Sequence, residues 1–130
     1  MTELKALARS WLDMVATGRF DLWPEIVHDE FILRFPYAPP GGVEELRGLA
    51  ARDALVSSRA DQERFEWLDV VMTATEDPEL LLVTARSEVP LKSGAIYANR
   101  YVMLTRSRGD KLVEQVEYFN PLPVLAMFRP

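Results

Sequence analysis

The sequence lacks cysteine entirely and has a single histidine, His28, in 130 residues. A chain without cysteine forms no disulfide, carries no thiolate nucleophile and holds no iron–sulfur cluster. One histidine excludes the metal motifs built from several, and it leaves Ser57 and Ser58 without the context of a catalytic triad. We therefore expect no metal site and no acyl-enzyme chemistry, and the absence of cysteine fits a cytoplasmic location.

Positive charge and long apolar runs are also scarce. The chain has 15 Lys and Arg against 20 Asp and Glu, a net charge of −5. Nucleic-acid binding depends on clustered basic groups, so we expect no nucleic-acid partner. No stretch approaches the roughly 18 apolar residues of a membrane span, and charged residues interrupt the first 15 positions, so we expect a soluble protein without a secretion signal. No glycine-rich phosphate motif is present, which predicts no nucleotide cofactor.

Helical patterns occupy the first half of the chain. Apolar residues recur at helical spacing from Leu4 to Val15, which predicts an amphipathic helix that ends before Gly18. Phe20 to Val27 predicts a short second helix. Glu44 to Ser58, rich in Leu, Ala, Arg and Glu, predicts a third helix whose first turn is weakened by Gly48.

The sequence predicts five strands. The last four are rich in Val, Thr, Tyr, Phe and Trp and are separated by turn residues at hairpin lengths, whereas the first is followed by a rigid loop rich in proline and glycine. The five strands are His28 to Phe35, Glu63 to Thr75, Leu80 to Val89, Ala95 to Arg106 and Lys111 to Asn120. Leu122 to Phe128 is either a short terminal helix or an edge strand. Helices first and strands afterwards predict one α+β domain over residues 1–130, in which a curved, mainly antiparallel sheet wraps around three N-terminal helices.

The segment Ala95 to Arg106 is apolar on both of its faces. One face carries Tyr97, Asn99, Tyr101 and Met103, and the other carries Ile96, Ala98, Val102 and Leu104 with Arg100. A single helical layer shields one face only, so the second face predicts a homodimer formed through the outer face of the sheet. In the last strand, the pattern leaves open whether the row of Glu117 or the alternate row of Tyr118 faces the helices.

Short motifs link the chain to a known family. They are YANRYVML at 97–104, the turn GDKL at 109–112 and EYFNPL at 117–122, preceded by FPYAPPG at 35–41 and Arg47-Gly48. This pattern resembles the SnoaL-like proteins of the nuclear transport factor 2 superfamily. The resemblance implies a cone-shaped fold with an apolar pocket open at one end.

Members of that superfamily include polyketide cyclases, ketosteroid isomerase, limonene epoxide hydrolase, scytalone dehydratase and phenazine-biosynthesis condensation proteins. The phenazine branch is the most similar in motif, and it implies that Glu117 is an acid/base group in the pocket. Its third-helix histidine, four residues before a serine, is replaced here by Asp53 before Ser57. The position of the general base of ketosteroid isomerase is occupied by Phe35, so that mechanism does not transfer.

Glu117 is the leading catalytic candidate, with Asn99 and Tyr101 beside it on a shared inner face. Apolar surroundings disfavour the ionised carboxyl and raise its pKa toward the range of a general acid or base. Asn99 and Tyr101 would donate hydrogen bonds to a developing oxyanion. The alternatives are a half-exposed strand residue, or a structural anchor paired with one of three arginines: Arg34, Arg86 and Arg100.

Eight further side chains form the expected ligand pocket, with core packing as the alternative for its aromatic members. They are Trp11, Trp23, Arg34, Tyr37, Trp67, Tyr97, Met103 and Phe119. Phe65 is a further aromatic candidate for its wall, while Asp13 and His28 are expected to be solvent-facing or to serve local structure.

These features predict a cofactor-free acid/base enzyme of isomerase, cyclase, dehydratase or condensation type, acting on a small hydrophobic metabolite. The alternative is a non-catalytic small-molecule-binding or dimeric assembly module of the same fold.

Overall fold

The computed structural model describes residues 2–127, which form helices at both ends of the chain and a six-stranded sheet. The elements are α1 (Thr2–Thr17), a 3-10 turn (Phe20–Leu22), α2 (Trp23–Ile26), β1 (Val27–Arg34), β2 (Glu45–Arg47), α3 (Leu49–Arg59), β3 (Leu68–Ala74), β4 (Leu80–Pro90), β5 (Ile96–Arg108), β6 (Lys111–Phe119) and α4 (Pro121–Met127). Of the two alternatives for the last segment, the helix is correct up to Met127, and Phe128 lies outside the described residues. Within residues 2–127, no helix has both the length and the apolar character needed to cross a membrane.

The sheet has the strand order β2-β1-β6-β5-β4-β3. Neighbouring strands are antiparallel, except that β1 and β6 run parallel. The predicted α+β class with a curved, mainly antiparallel sheet is therefore confirmed. Because β1 leaves the hairpin order and pairs with β6, the last strand lies in the interior of the sheet, and it carries Glu117 there.

The inner face of the sheet packs against α1 and α2. Trp11 and Leu12 of α1 are each 1% exposed and pack with Phe31 and Leu33 of β1, both fully buried. Trp11 lies 5.9 Å from Trp23 and 5.3 Å from Phe31 between ring centroids. This aromatic cluster fills the closed end of the fold.

Three predicted boundaries are wrong. Residues 45–47 form strand β2, which pairs with β1, and α3 starts only at Leu49, because Gly48 adopts φ 54° and ψ −130°, outside the helical region. The predicted second helix is a 3-10 turn followed by one α-helical turn, and Val27 already belongs to β1, where it pairs with Leu112. The strand predicted from Glu63 begins at Leu68.

The alternation predicted for β5 is confirmed. Tyr97, Asn99, Tyr101 and Met103 point inward and are buried or half-buried, whereas Ile96 is 67% exposed and Val102 is 45% exposed on the outer face. Val102 lies in an outer cross-strand row with the exposed Val71 and the half-buried Thr84 and Tyr118. Within residues 2–127, the outer face therefore carries exposed apolar side chains that no other element covers.

Candidate functional site

A cavity of about 690 Å³ opens beside the inner face of the sheet. Its walls come from α1, α3, α4, the loop after β1, the segment before β3, and strands β2, β4, β5 and β6. Most lining residues are apolar, among them Val15, Phe35, Leu46, Leu55, Phe65, Trp67, Val89, Phe119, Val124 and Leu125. Among the described residues, Arg59 and Glu117 are the charged groups on this wall.

Glu117 lies on β6 directly opposite Met103 of β5, which is fully buried. Its Oε2 accepts hydrogen bonds from Gln115 Nε2 at 3.0 Å and from Trp11 Nε1 at 3.3 Å. Burial raises the pKa of Glu117, while the N–H groups of Gln115 and Trp11 act in the opposite direction because they stabilise the carboxylate. The result is a carboxyl group held by neutral donors beside an apolar space.

A buried hydrogen-bond chain lies behind this carboxyl group. Thr105 Oγ1 donates to Gln115 Oε1 at 2.6 Å, and Gln115 Nε2 also lies 3.4 Å from Met103 Sδ. Gln115 is fully buried and Thr105 is 1% exposed. Every member lies on the inner rows of β5 and β6, so the alternation of two strands holds the chain together.

Two tyrosines place their hydroxyl groups on the same wall. Tyr97 and Tyr101 both line the cavity, and their hydroxyl oxygens are 3.4 Å apart. Burial raises the pKa of both phenols, and the nearby Glu117 acts in the same direction on each. Both side chains therefore keep their protons at neutral pH and can donate hydrogen bonds to a ligand oxygen.

Asn99 does not line the cavity, contrary to its predicted role toward an oxyanion. Its Nδ2 donates to Tyr97 Oη at 2.7 Å and to the carbonyl oxygen of Asn120 at 2.9 Å. Its Oδ1 accepts the backbone N–H groups of Arg100 and Asn120. With both amide hydrogens and the oxygen engaged, Asn99 orients Tyr97 and anchors the end of β6, and Tyr97 takes the place at the cavity that sequence reasoning gave to Asn99.

The other predicted pocket residues differ in where the structure places them. Trp67 and Phe119 line the cavity, as does Phe65. Trp11 does not line it, but its indole N–H donates to the Glu117 carboxyl group. Met103 and Trp23 belong to the closed core.

Arg34 and Tyr37 were predicted to line the ligand pocket, but both lie away from the cavity. Arg34 pairs with Glu45 at 2.7 Å and with Glu114 at 2.9 Å, because the last residue of β1 directs its side chain to the outer face. Tyr37 is 61% exposed and packs edge-on against Tyr118.

The alternative that Glu117 is an ion-paired anchor does not hold among the described residues. Arg34 is engaged by the pairs just described, and Arg86 pairs with Asp69 and Glu88. Arg100 is exposed on the outer face. The inner and outer faces of the sheet thus separate Glu117 from all three arginines.

The remaining polar candidates serve local structure. His28 lies in β1, where its Nδ1 accepts the backbone N–H of Glu30 at 3.0 Å. Asp13 is exposed on α1, and Asp53 is exposed and pairs with Arg52 at 3.1 Å. Within residues 2–127, no group of three or more acidic or histidine side chains is arranged to hold a metal ion.

Sequence reasoning missed Arg59 and Ser87 on the cavity wall, and also Gln62, whose Oε1 lies 3.5 Å from Arg59 Nη1. Arg59, in the last turn of α3, donates to the carbonyl oxygen of Glu63 at 2.7 Å, while its Nε is buried without a hydrogen-bond partner in the described part of the chain. Burial lowers the pKa of Arg59. Ser87 of β4 is 1% exposed, and its hydroxyl also has no hydrogen-bond partner among residues 2–127. The alternating pattern of β4 would have placed Ser87 on the inner face, whereas no sequence pattern distinguished Arg59.

A family model described as a SnoaL-like domain matches residues 8–115. An uncharacterized PhzA/B-like protein of Pseudomonas aeruginosa is 29% identical over 112 residues, which cover 85% of this chain and 79% of that protein.

Solved structures share the fold at lower sequence identity. A Bacillus subtilis protein, provisionally described as an isomerase, superimposes with a TM-score of 0.87 at 18% identity, covering 98% of this chain and 93% of that one. The BvnE pinacolase of Penicillium brevicompactum superimposes with a TM-score of 0.79 at 19% identity, covering 97% and 92% of the two chains.

Proposed function

The chain belongs to the SnoaL-like domain family, and from that premise we propose that it is an enzyme that transfers protons on a small hydrophobic metabolite without a cofactor. Glu117 is its acid/base group. The reaction is an isomerisation, cyclisation, dehydration or condensation. The observation that carries the proposal is a carboxyl group with a raised pKa on the wall of a largely apolar cavity, beside two tyrosine hydroxyl groups.

The volume and walls of the cavity support a compact apolar ligand. About 690 Å³ lies within the range of small-molecule sites, and aromatic side chains at Phe35, Phe65, Trp67 and Phe119 supply flat surfaces. Such a site excludes water from a bound ring system, which strengthens hydrogen bonds made inside it.

The polar wall supports a proton transfer next to a carbonyl group. In that step, the Glu117 carboxylate takes a proton from the carbon beside the carbonyl, and the electron pair of the broken C–H bond moves onto the carbonyl oxygen. Hydrogen bonds from Tyr101 and Tyr97 stabilise the resulting oxyanion. Return of the proton from Glu117 to a more distant carbon of a conjugated substrate completes an isomerisation. Its transfer to a β-hydroxyl group, which leaves as water while the electron pair returns from the oxyanion, completes a dehydration.

Deuterium exchange tests this role without knowledge of the natural substrate. The probe is 1-tetralone, a fused-ring ketone, incubated with the protein in D₂O while NMR follows loss of its α-proton signal. Glu117→Gln should lower the enzyme-dependent exchange by about 100-fold to 10,000-fold, the usual weight of one acid/base group. Glu114→Gln, on the outer face of the same strand, is the matched control and should exchange like the wild type. Equal exchange by the wild type and Glu117→Gln would remove the catalytic role.

A binding module without chemistry is the second candidate. It is favoured by the absence of a second carboxylate on the described cavity wall, since Phe35 lines the cavity and Asp53 is exposed outside it. A ligand that raises the melting temperature of the protein while its protons never exchange would support binding over catalysis.

We also propose that two copies of the chain associate through the outer face of the sheet. The support is the exposed apolar side chains at Val71, Ile96 and Val102, which are flanked by charges of both signs at Arg86, Arg100 and Glu88. A face with mixed charges and an apolar centre can complement a rotated copy of itself. Sedimentation at micromolar concentration should give a dimer, and Val102→Asp should give a monomer. A monomeric wild type would contradict the proposal.

A further inference from the structure

The two oxygens of the Glu117 carboxyl group have different surroundings. Oε2 accepts two N–H donors, from Gln115 and Trp11. Oε1 has no hydrogen bond to the described residues and is not among the buried atoms that lack a partner, so it remains accessible. Because Glu117 lines the cavity, Oε1 is the oxygen that a ligand can reach.

Neighbouring acceptors determine the orientation of the Gln115 amide. At one end, the Thr105 hydroxyl donates to Oε1 of Gln115 at 2.6 Å. At the other end lie two acceptors, Oε2 of Glu117 at 3.0 Å and Sδ of Met103 at 3.4 Å. The indole N–H of Trp11 is a donor only, so Oε2 of Glu117 acts as an acceptor there, and the amide meets the same oxygen with its NH₂ group.

A protonated carboxyl group has one carbonyl oxygen and one hydroxyl oxygen. N–H donors bind the carbonyl oxygen in preference, because the hydroxyl oxygen is the weaker acceptor. Two donors on Oε2 therefore assign the proton of the acid form to Oε1.

We propose that Gln115, oriented by Thr105 and assisted by Trp11, is a positioning residue that keeps the transferable proton of Glu117 on the cavity-facing oxygen Oε1. Its relevance to turnover rests on the proposed function, whereas the position of the proton is a property of the protein alone. Gln115 does not line the cavity, so it acts on a substrate through its hydrogen bond to Glu117.

The other titratable groups around the site leave this assignment unchanged. Tyr97 and Tyr101 on β5 face Glu117 and keep their protons at neutral pH because their pKa values are raised. Arg59 on α3 lines the same cavity, and Trp11 is the donor from α1. Among the described residues, Gln115 and Trp11 are the hydrogen-bond partners of Glu117, and the tyrosines and Arg59 do not compete with them for Oε2.

Infrared spectroscopy can read which oxygen is the carbonyl. The carbonyl stretch of protonated Glu117 is isolated by ¹³C labelling of glutamate and subtraction of the Glu117→Gln spectrum at low pH. A carbonyl that loses a hydrogen bond absorbs at higher frequency. Gln115→Met, which keeps the side-chain length, should therefore raise the frequency, and so should Trp11→Phe, which removes the other N–H. Gln62→Met makes the same change at a glutamine that lines the same cavity but accepts a hydrogen bond from Arg59 and makes none to Glu117, so it should leave the band in place.

Proton exchange on 1-tetralone provides the functional readout. Gln115→Met should lower the exchange rate about tenfold and move its pH dependence to higher pH, because loss of an N–H donor raises the pKa of Glu117. An unmoved carbonyl band in both Gln115→Met and Trp11→Phe would overturn the positioning role, even where Glu117→Gln abolishes exchange. A raised band with no exchange in the wild type would uphold the positioning role and remove the proposed function instead.

Discussion

Two glutamates on β6, three residues apart, occupy opposite faces of the sheet and have opposite surroundings. Glu114 on the outer face lies 2.9 Å from Arg34 and 3.8 Å from Arg106. Within residues 2–127, Glu117 on the inner face accepts hydrogen bonds from neutral donors only, Gln115 and Trp11. Burial without a cationic partner favours the protonated form of the Glu117 carboxyl group, although its two N–H donors act in the opposite direction. The face of the sheet, and not the residue type, decides which glutamate is suited to exchange a proton.

A cationic partner next to Glu117 should remove the electrostatic difference between the two glutamates. Met103→Lys places an ammonium group opposite Glu117 and should lower the pKa of that carboxyl, which weakens it as a base. Exchange on 1-tetralone should fall by about 100-fold. Met103→Leu conserves volume and should retain the wild-type rate and NMR titration. A Met103→Lys protein in which Glu117 titrates as in the wild type would show that the electrostatic contrast is unimportant.

Removal of one hydroxyl group from the inner face should have a smaller effect. Tyr101→Phe keeps the ring packed against Trp67 and Phe119 but deletes a donor toward the ligand oxygen. We expect exchange to fall by about tenfold to 100-fold, the lower part of the range for one oxyanion donor. Tyr118→Phe makes the same change on the outer face, and an equal loss there would point to a structural cause.

The pH dependence of stability separates the two faces without any substrate. Burial raises the pKa of folded Glu117 above its unfolded value, so the folded state holds the proton more tightly. That stabilisation is complete below the ordinary pKa of glutamate and is lost as the pH rises through the folded pKa. Glu117→Gln does not ionise and therefore avoids this loss of stability. The variant should melt about 3 °C higher than the wild type at neutral pH, which corresponds to about 1 kcal/mol in a domain of this size. The difference should vanish at acidic pH, and calorimetry across the pH range measures it. A lower melting temperature at neutral pH would contradict the sign.

Loss of the outer ion pairs should have the smallest effect. Glu114→Gln should destabilise the protein by about 0.5 kcal/mol in urea unfolding at low salt, because half-exposed pairs contribute little. The difference should shrink in high salt, where screening weakens surface charges. An effect that persists undiminished in high salt would indicate that Glu114 acts through packing.

The inner face of β5 could be predicted because strict alternation from Tyr97 to Met103 fixes its parity. The parity of β6 could not, since the register shifts where Arg106 pairs with Glu114 and Ser107 with Leu112. Both Leu112 and Val113 are therefore buried, and an alternating pattern no longer identifies one face. The motif around Glu117 came from the family resemblance, and it supplied the candidate that alternation alone left open.

Contacts between distant parts of the sequence decide the positions of the site residues that could not be predicted. Asn99 is an inner residue, as predicted, but its amide is used by Tyr97 and Asn120, partners that only the paired strands reveal. Arg34 and Tyr37 depend on where β1 ends and how the following loop turns. Arg59 is the last residue of α3, which begins at Leu49, and it lines the cavity because the helix ends there. No local sequence pattern marks that position.

The interior position of β6 also bears on how the protein is made. During synthesis, β1 and β5 emerge from the ribosome before the strand that separates them, so each has an edge of unpaired backbone until residues 111–119 arrive. Pairing of β1 with β6 closes a loop of about 80 residues, a contact that forms slowly. Glu117 enters the cavity only in that closing step, so proton exchange would report on chains whose sheet is complete.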